Sequence, residues 1–149
     1  MSERTGMPGA VEPRGGAGEA PRILLVEDNE RNRALVRAIL TRAPDPTVRS
    51  AHLVEAHNLT QARAVLAHET VDAVLLDVQL PDGSGLSLLD DFAGRADVPR
   101  PAIIAVTGGV LPEQRAAAMA AGCDAIVEKP FIAAELIRAL VDSIAARQG

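Results

Sequence analysis

The sequence predicts an α/β fold, a doubly wound sheet of five parallel strands. Two observations carry this expectation. Short runs rich in Val, Ile and Leu alternate strictly with stretches of helical apolar spacing, which is the signature of βαβ units whose strands are buried on both faces. Four of the runs also end in a residue type that handles phosphate or metal. Ile23-Leu24-Leu25-Val26 ends in Glu27-Asp28, and residues 71–76, broken only by Asp72, end in Asp77. Residues 102–106 end in Thr107, and Ala125-Ile126-Val127 leads to Lys129.

Each element has its own warrant. After the first strand, residues 29–42 place Leu35, Val36, Ile39 and Leu40 on one helical face, and Pro44 and Pro46 stop the helix. Residues 48–54 read as the second strand. A helix over 58–67 turns Leu59, Ala62, Val65 and Leu66 inward, and residues 86–92 form a third helix after a glycine-bearing loop. Residues 112–121 form the fourth, with Pro112 in its first turn and Gly122 closing it. The fifth, over 131–146, carries Leu136, Ile137, Leu140, Val141 and Ile144 at helical spacing. Residues 1–21 hold three prolines and five glycines with almost no large apolar side chains, so a disordered N-terminal tail is expected there.

Composition narrows the function. The net charge is −5 and the only aromatics are two phenylalanines, so there is neither a basic stripe nor a set of stacking rings for nucleic acid. The apolar stretches fall short of a membrane span, and the first residues lack the apolar core of a signal peptide, so a cytoplasmic protein is expected. A single cysteine, Cys123, excludes an internal disulfide and reads as a small core thiol.

Lys129 is the one lysine among fifteen basic residues. Arginine presents a planar fork, whereas lysine brings a compact charge on a flexible stem that reaches into a small anionic pocket. In open parallel sheets, ligands bind outside the carboxyl ends of the strands, where the strand order reverses. Glu27, Asp28, Asp77, Thr107 and Lys129 are thereby expected at one edge, as three carboxylates, a hydroxyl and an ammonium. Taken singly, Asp77 is equally a turn-capping aspartate, and Glu27-Asp28 equally an acidic pair ahead of a helix. Together the carboxylates form an oxygen-rich set suited to Mg²⁺.

These residues, with Leu80-Pro81-Asp82-Gly83-Ser84-Gly85 after Asp77 and Pro130 after Lys129, resemble the receiver domain of two-component response regulators over residues 22–149. The resemblance implies the strand order 2-1-3-4-5 of flavodoxin-like and CheY-like folds. It implies that Asp77 is a phosphoacceptor charged by a sensor histidine kinase or histidine phosphotransfer protein, and that the domain is not an enzyme beyond this self-catalysed transfer and its autodephosphorylation. Mg²⁺, for which Mn²⁺ substitutes, is implied on Asp28, Asp77 and the Gln79 backbone carbonyl, with Glu27 acting through water. Thr107 and Lys129 would hold phosphoryl oxygens, and a cis Lys129–Pro130 bond would aim the lysine. Switching would run through Thr107, Gly108 and the face made by the fourth helix, fifth strand and fifth helix. The family usually has an aromatic three residues before this lysine, where this chain has Ile126. With no output domain expected, the partner would be a separate effector protein rather than nucleic acid or membrane, and the domain a monomer or a phosphorylation-dependent dimer.

Three other readings compete. An aspartyl-nucleophile phosphatase would want an acid two positions after Asp77, where Gln79 stands. An FMN binder would want Ser, Thr and Gly in the first loop, where Glu27-Asp28-Asn29-Glu30 would repel phosphate. A receiver-shaped interaction module that is never phosphorylated is the third.

Overall fold

The computed structural model describes residues 20–93, 100–109 and 111–148. The expected tail lies outside these residues up to position 19, while Pro21 is buried and its carbonyl accepts from the His52 N–H at 2.8 Å.

A five-stranded parallel sheet forms the centre. Its strands are β1 (Arg22–Val26), β2 (His52–Ala56), β3 (Ala73–Asp77), β6 (Ala102–Thr107) and β7 (Ala125–Glu128), in the spatial order β2-β1-β3-β6-β7. Counting only these five, the order is 2-1-3-4-5, as the resemblance to receiver domains implies. Two further strands, β4 (Gln79–Leu80) and β5 (Gly83–Ser84), make an antiparallel ribbon directly after β3. The helices are α1 (Glu30–Thr41), α2 (Pro46–Arg49), α3 (Leu59–His68), α4 (Leu88–Ala93), α5 (Pro112–Ala121) and α6 (Ala133–Gln148).

Side chains alternate across the strands with period two. Leu24, Val26, Val74, Leu76, Ile103 and Ala105 face α3, α4 and α5, packing with Leu59, Ala62, Leu66, Leu88 and Ala118. Ile23, Leu25, Leu75, Ile104 and Val127 face the other way, onto Val36 and Leu40 of α1 and Leu136, Leu140 and Ile144 of α6. Helices on both faces leave the carboxyl ends of the strands as the place where polar residues gather.

Several local expectations are corrected. The second strand, expected over 48–54, is displaced to His52–Ala56, so only residues 52–54 of the expected span belong to it. Asp45 accepts from the N–H groups of Thr47 and Val48 and Pro46 opens the turn, so a short capped helix takes Val48 and β2 begins at His52. Leu35 is 41% exposed rather than inward, because the buried stripe of α1 runs through Arg33, Val36 and Leu40. The third helix begins as a single 3₁₀ turn, Gly85–Ser87, before α4. Cys123 is buried, and burial, aided by the charge of Asp124, pushes its thiol up to about 11.

Candidate functional site

Three loops at the carboxyl ends of β1, β3 and β7 bring the charged residues together. Asn29 caps α1 by accepting from the Asn32 N–H, which starts the helix immediately after the acidic pair. Glu27 is therefore held at the strand end and is 1% exposed, while Asp28 beside it is exposed. Asp77 closes β3 at 6% exposure. One carboxylate oxygen from each of Glu27, Asp28 and Asp77 lies within 4.8 Å of the others.

Lys129 joins this cluster from the end of β7. Its Nζ lies 3.0 Å from Oε1 of Glu27 and 3.2 Å from Oδ2 of Asp77. The Lys129–Pro130 bond is cis, and the Lys129 N–H donates to the Thr107 carbonyl at 2.7 Å. Burial alone would push the ammonium down, but the hydrogen bond with Glu27 and the charges of Asp77 and Glu27 outweigh it, so Lys129 titrates above its ordinary 10.5. It is a fixed cation throughout the physiological range.

Backbone contacts set the direction of Asp77. Its Oδ1 accepts from the Gln79 N–H at 3.0 Å, so both carboxylate oxygens are engaged. The Gly85 N–H donates to the Val78 carbonyl at 2.7 Å, and a side chain on Gly85 would collide with the Asp77 carbonyl oxygen. Glycine is required there by this close approach. Asp82, in the turn between β4 and β5, accepts from the N–H groups of Leu59 and Thr60 at 2.9 and 3.1 Å, which ties the loop after Asp77 to the start of α3.

Thr107 is at the right sheet edge but outside this cluster. Among the described residues its hydroxyl has one partner, the Gly109 carbonyl at 3.5 Å, and no hydrogen bond to Asp77 or Lys129. It lines, with Gln79, Gly109, Ala118 and Ile126, a groove of about 260 Å³ between β6, β7 and α5. Ile126 is half-buried in its wall.

The donor set is all oxygen, with three carboxylates against one ammonium, a formal charge of −2 before any ion is bound. That chemistry fits a hard divalent cation such as Mg²⁺. Sequence reasoning missed Arg33, whose side chain is 8% exposed and whose guanidinium donates to the Glu27 carbonyl at 2.9 Å. The signal was present: Arg33, Val36 and Leu40 recur at i, i+3 and i+7, an arginine on an otherwise apolar stripe.

Comparison with known proteins agrees with this geometry. The family model described as the response regulator receiver domain matches residues 23–141. The sensory/regulatory protein RpfC of Xanthomonas campestris is 30% identical over 134 residues, covering 85% of this chain but 17% of RpfC. The polar-differentiation response regulator DivK of Brucella anthropi is 28% identical over 109 residues, covering 73% of this chain and 84% of DivK. Among solved structures, the signal receiver domain of an HD domain-containing protein from Pseudomonas fluorescens is 27% identical, with a TM-score of 0.74 over 87% of this chain and 98% of that one.

Proposed function

The chain belongs to the response regulator receiver domain family, and from that premise we propose that it is the phosphoacceptor of a two-component relay, with Asp77 as nucleophile. The observation that carries this is the placement of Lys129, the chain's single lysine, between Asp77 Oδ2 and Glu27 Oε1 at one end of a three-carboxylate cluster.

Asp28 and Asp77 would hold Mg²⁺ directly, with the Gln79 carbonyl, while Glu27 acts through water; the ion, or Mn²⁺ in its place, supplies positive charge beside the phosphoryl oxygens. The remaining chemistry belongs to the chain. The Asp77 carboxylate attacks phosphorus in the phosphohistidine of a sensor kinase or phosphotransfer protein. The P–N bond breaks, the imidazole leaves with the electron pair and takes up a proton, and Asp77 becomes an acyl phosphate. Lys129, already a fixed cation 3.2 Å from Asp77, meets the charge of the transferring group without reorganising. Positioning and charge stabilisation dominate phosphoryl transfer, and this site is built for both.

Phosphorylation adds about −1.5 to −2 charges. Thr107, whose hydroxyl among the described residues has one long contact, to Gly109, can turn toward the new oxygens. Gly108 and Gly109 follow with little steric resistance, since a Cβ at either would meet open space. The movement would be read on the α5–β7–α6 face by a separate effector protein in the cytoplasm, with no nucleic acid or membrane partner and with the domain as a monomer or a phosphorylation-dependent dimer.

Intact-mass spectrometry after incubation with Mg²⁺ and acetyl phosphate tests the proposal. One phosphoryl adduct on the wild type, absent without Mg²⁺, is expected. No adduct despite measurable Mg²⁺ binding would favour an interaction module that works without phosphorylation.

A further inference from the structure

Arg33 lies in the first turn of α1, just beyond the acidic pair, and among the described residues it is the most deeply covered arginine in an ion pair. Its side chain is 8% exposed, against 33–47% for Arg22, Arg37, Arg63, Arg115 and Arg147. Burying a guanidinium is costly unless all its donors find acceptors. Here they do. Nη1 donates to the Glu27 carbonyl at 2.9 Å and Nη2 to the Glu30 carboxylate at 2.6 Å, and Nε lies 3.4 Å from Glu55.

Arg37 completes the group, pairing with Glu55 at 2.6 Å and Glu30 at 2.9 Å. Two arginines and two glutamates are formally neutral, so the quartet delivers little net charge to the neighbouring site. Its effect is geometric. The Glu27 carbonyl that Arg33 grips belongs to the same planar peptide unit as the Asp28 N–H and Cα. Every other polar group of Glu27 is also committed: its N–H to the Ala56 carbonyl, Oε1 to Lys129 and Oε2 to the Asn29 N–H. The exposed Asp28 side chain makes no hydrogen bond or ion pair among the described residues, so its direction follows from the backbone that carries it.

We infer that Arg33 is a positioning residue for the cation site: by clamping the Glu27–Asp28 peptide plane it holds the Asp28 carboxylate in register with Asp77. The inference rests on the reading of Asp28 and Asp77 as Mg²⁺ ligands. Lysine cannot replace Arg33, because a single ammonium does not span a carbonyl and two carboxylates in one plane. Loss of partners that orient metal ligands typically costs 10–100-fold in affinity.

The test uses the full chain and Mg²⁺ alone, titrated by isothermal calorimetry, with a parallel assay of phosphoryl incorporation from acetyl phosphate across Mg²⁺ concentrations. The variants are Arg33→Lys and Arg33→Gln, with Arg63→Lys, whose pair with Asp91 is remote, as control. Both Arg33 variants are expected to need about tenfold more Mg²⁺ or more for half-saturation in both assays. The adduct level at saturating Mg²⁺ is expected to persist, because Asp77 and Lys129 are intact. A fall in melting temperature with an unchanged Mg²⁺ midpoint would overturn the inference, as would a wild-type midpoint in Arg33→Lys or failure of both variants to fold. If the wild type itself neither binds Mg²⁺ nor takes up phosphoryl, the reading beneath the inference fails instead.

Discussion

The groove beside Ile126 makes a quantitative prediction. Ile126 is half-buried at the wall of a space of about 260 Å³, whose lining includes Ala105, Ala117 and Ala118, all small. Ile126→Phe adds about three side-chain carbons, and at ~0.8 kcal/mol per buried CH₂ the fully buried gain is about 2.4 kcal/mol. Because the wall is only partly covered, about half of this, on the order of 1 kcal/mol, is expected. Urea denaturation followed by far-ultraviolet circular dichroism measures it without tryptophan or tyrosine, both absent here. The midpoint should rise with an unchanged slope. A loss of about 1 kcal/mol or more would be the signature of overpacking and would refute the claim that the groove can receive an aromatic ring. Phosphoryl uptake at Asp77 should persist in this variant, since Ile126 is no part of the carboxylate cluster.

Three further outcomes follow from the same structure. Lys129→Met should slow phosphoryl incorporation by about a hundredfold or more, as expected for removal of one charge-stabilising donor, and Lys129→Arg should not restore it; quench-flow mass spectrometry reads both. Cys123, buried and titrating near 11, should resist iodoacetamide at pH 8 in the native protein and react fully in denaturant, which a native-versus-denatured alkylation assay checks. The Asp82 carboxyl is held below its ordinary 3.8 by the Leu59 N–H and, against some burial, by Thr60. Its folded value lies below its unfolded one, so its stabilisation is present above about pH 3.8 and is lost as pH falls through the folded value. The stability difference between wild type and Asp82→Asn should accordingly shrink when denaturation is repeated in steadily more acid buffer.

Much of this architecture was legible because its signals are local. The parallel strands are continuous apolar runs, and α5 is bracketed by Pro112 and Gly122, so its limits could be read from residue types alone. The edge of the sheet was legible for a topological reason: parallel strands put all their carboxyl ends on one side, which gathers Glu27, Asp28, Asp77 and Lys129. What escaped were contacts that need three dimensions. Nothing in the chain near Asp82 says that its carboxylate will cap a helix more than twenty residues earlier. Arg33 looked like one of fourteen arginines until its stripe-mates Val36 and Leu40 proved to be the buried face of α1. The second strand was displaced because Asp45-Pro46 is a helix start as well as a helix stop, and local capping took Val48 before sheet pairing could.

The central claim is that the Asp77 carboxylate, and not one of its acidic neighbours, receives the phosphoryl group. Borohydride reduction of the phosphorylated chain converts an acyl phosphate to an alcohol, and peptide mapping then locates the altered residue. Homoserine at position 77 alone, abolished in Asp77→Asn, is the predicted result; an alcohol at Asp28 or Asp82, or an adduct that survives in Asp77→Asn, would contradict it.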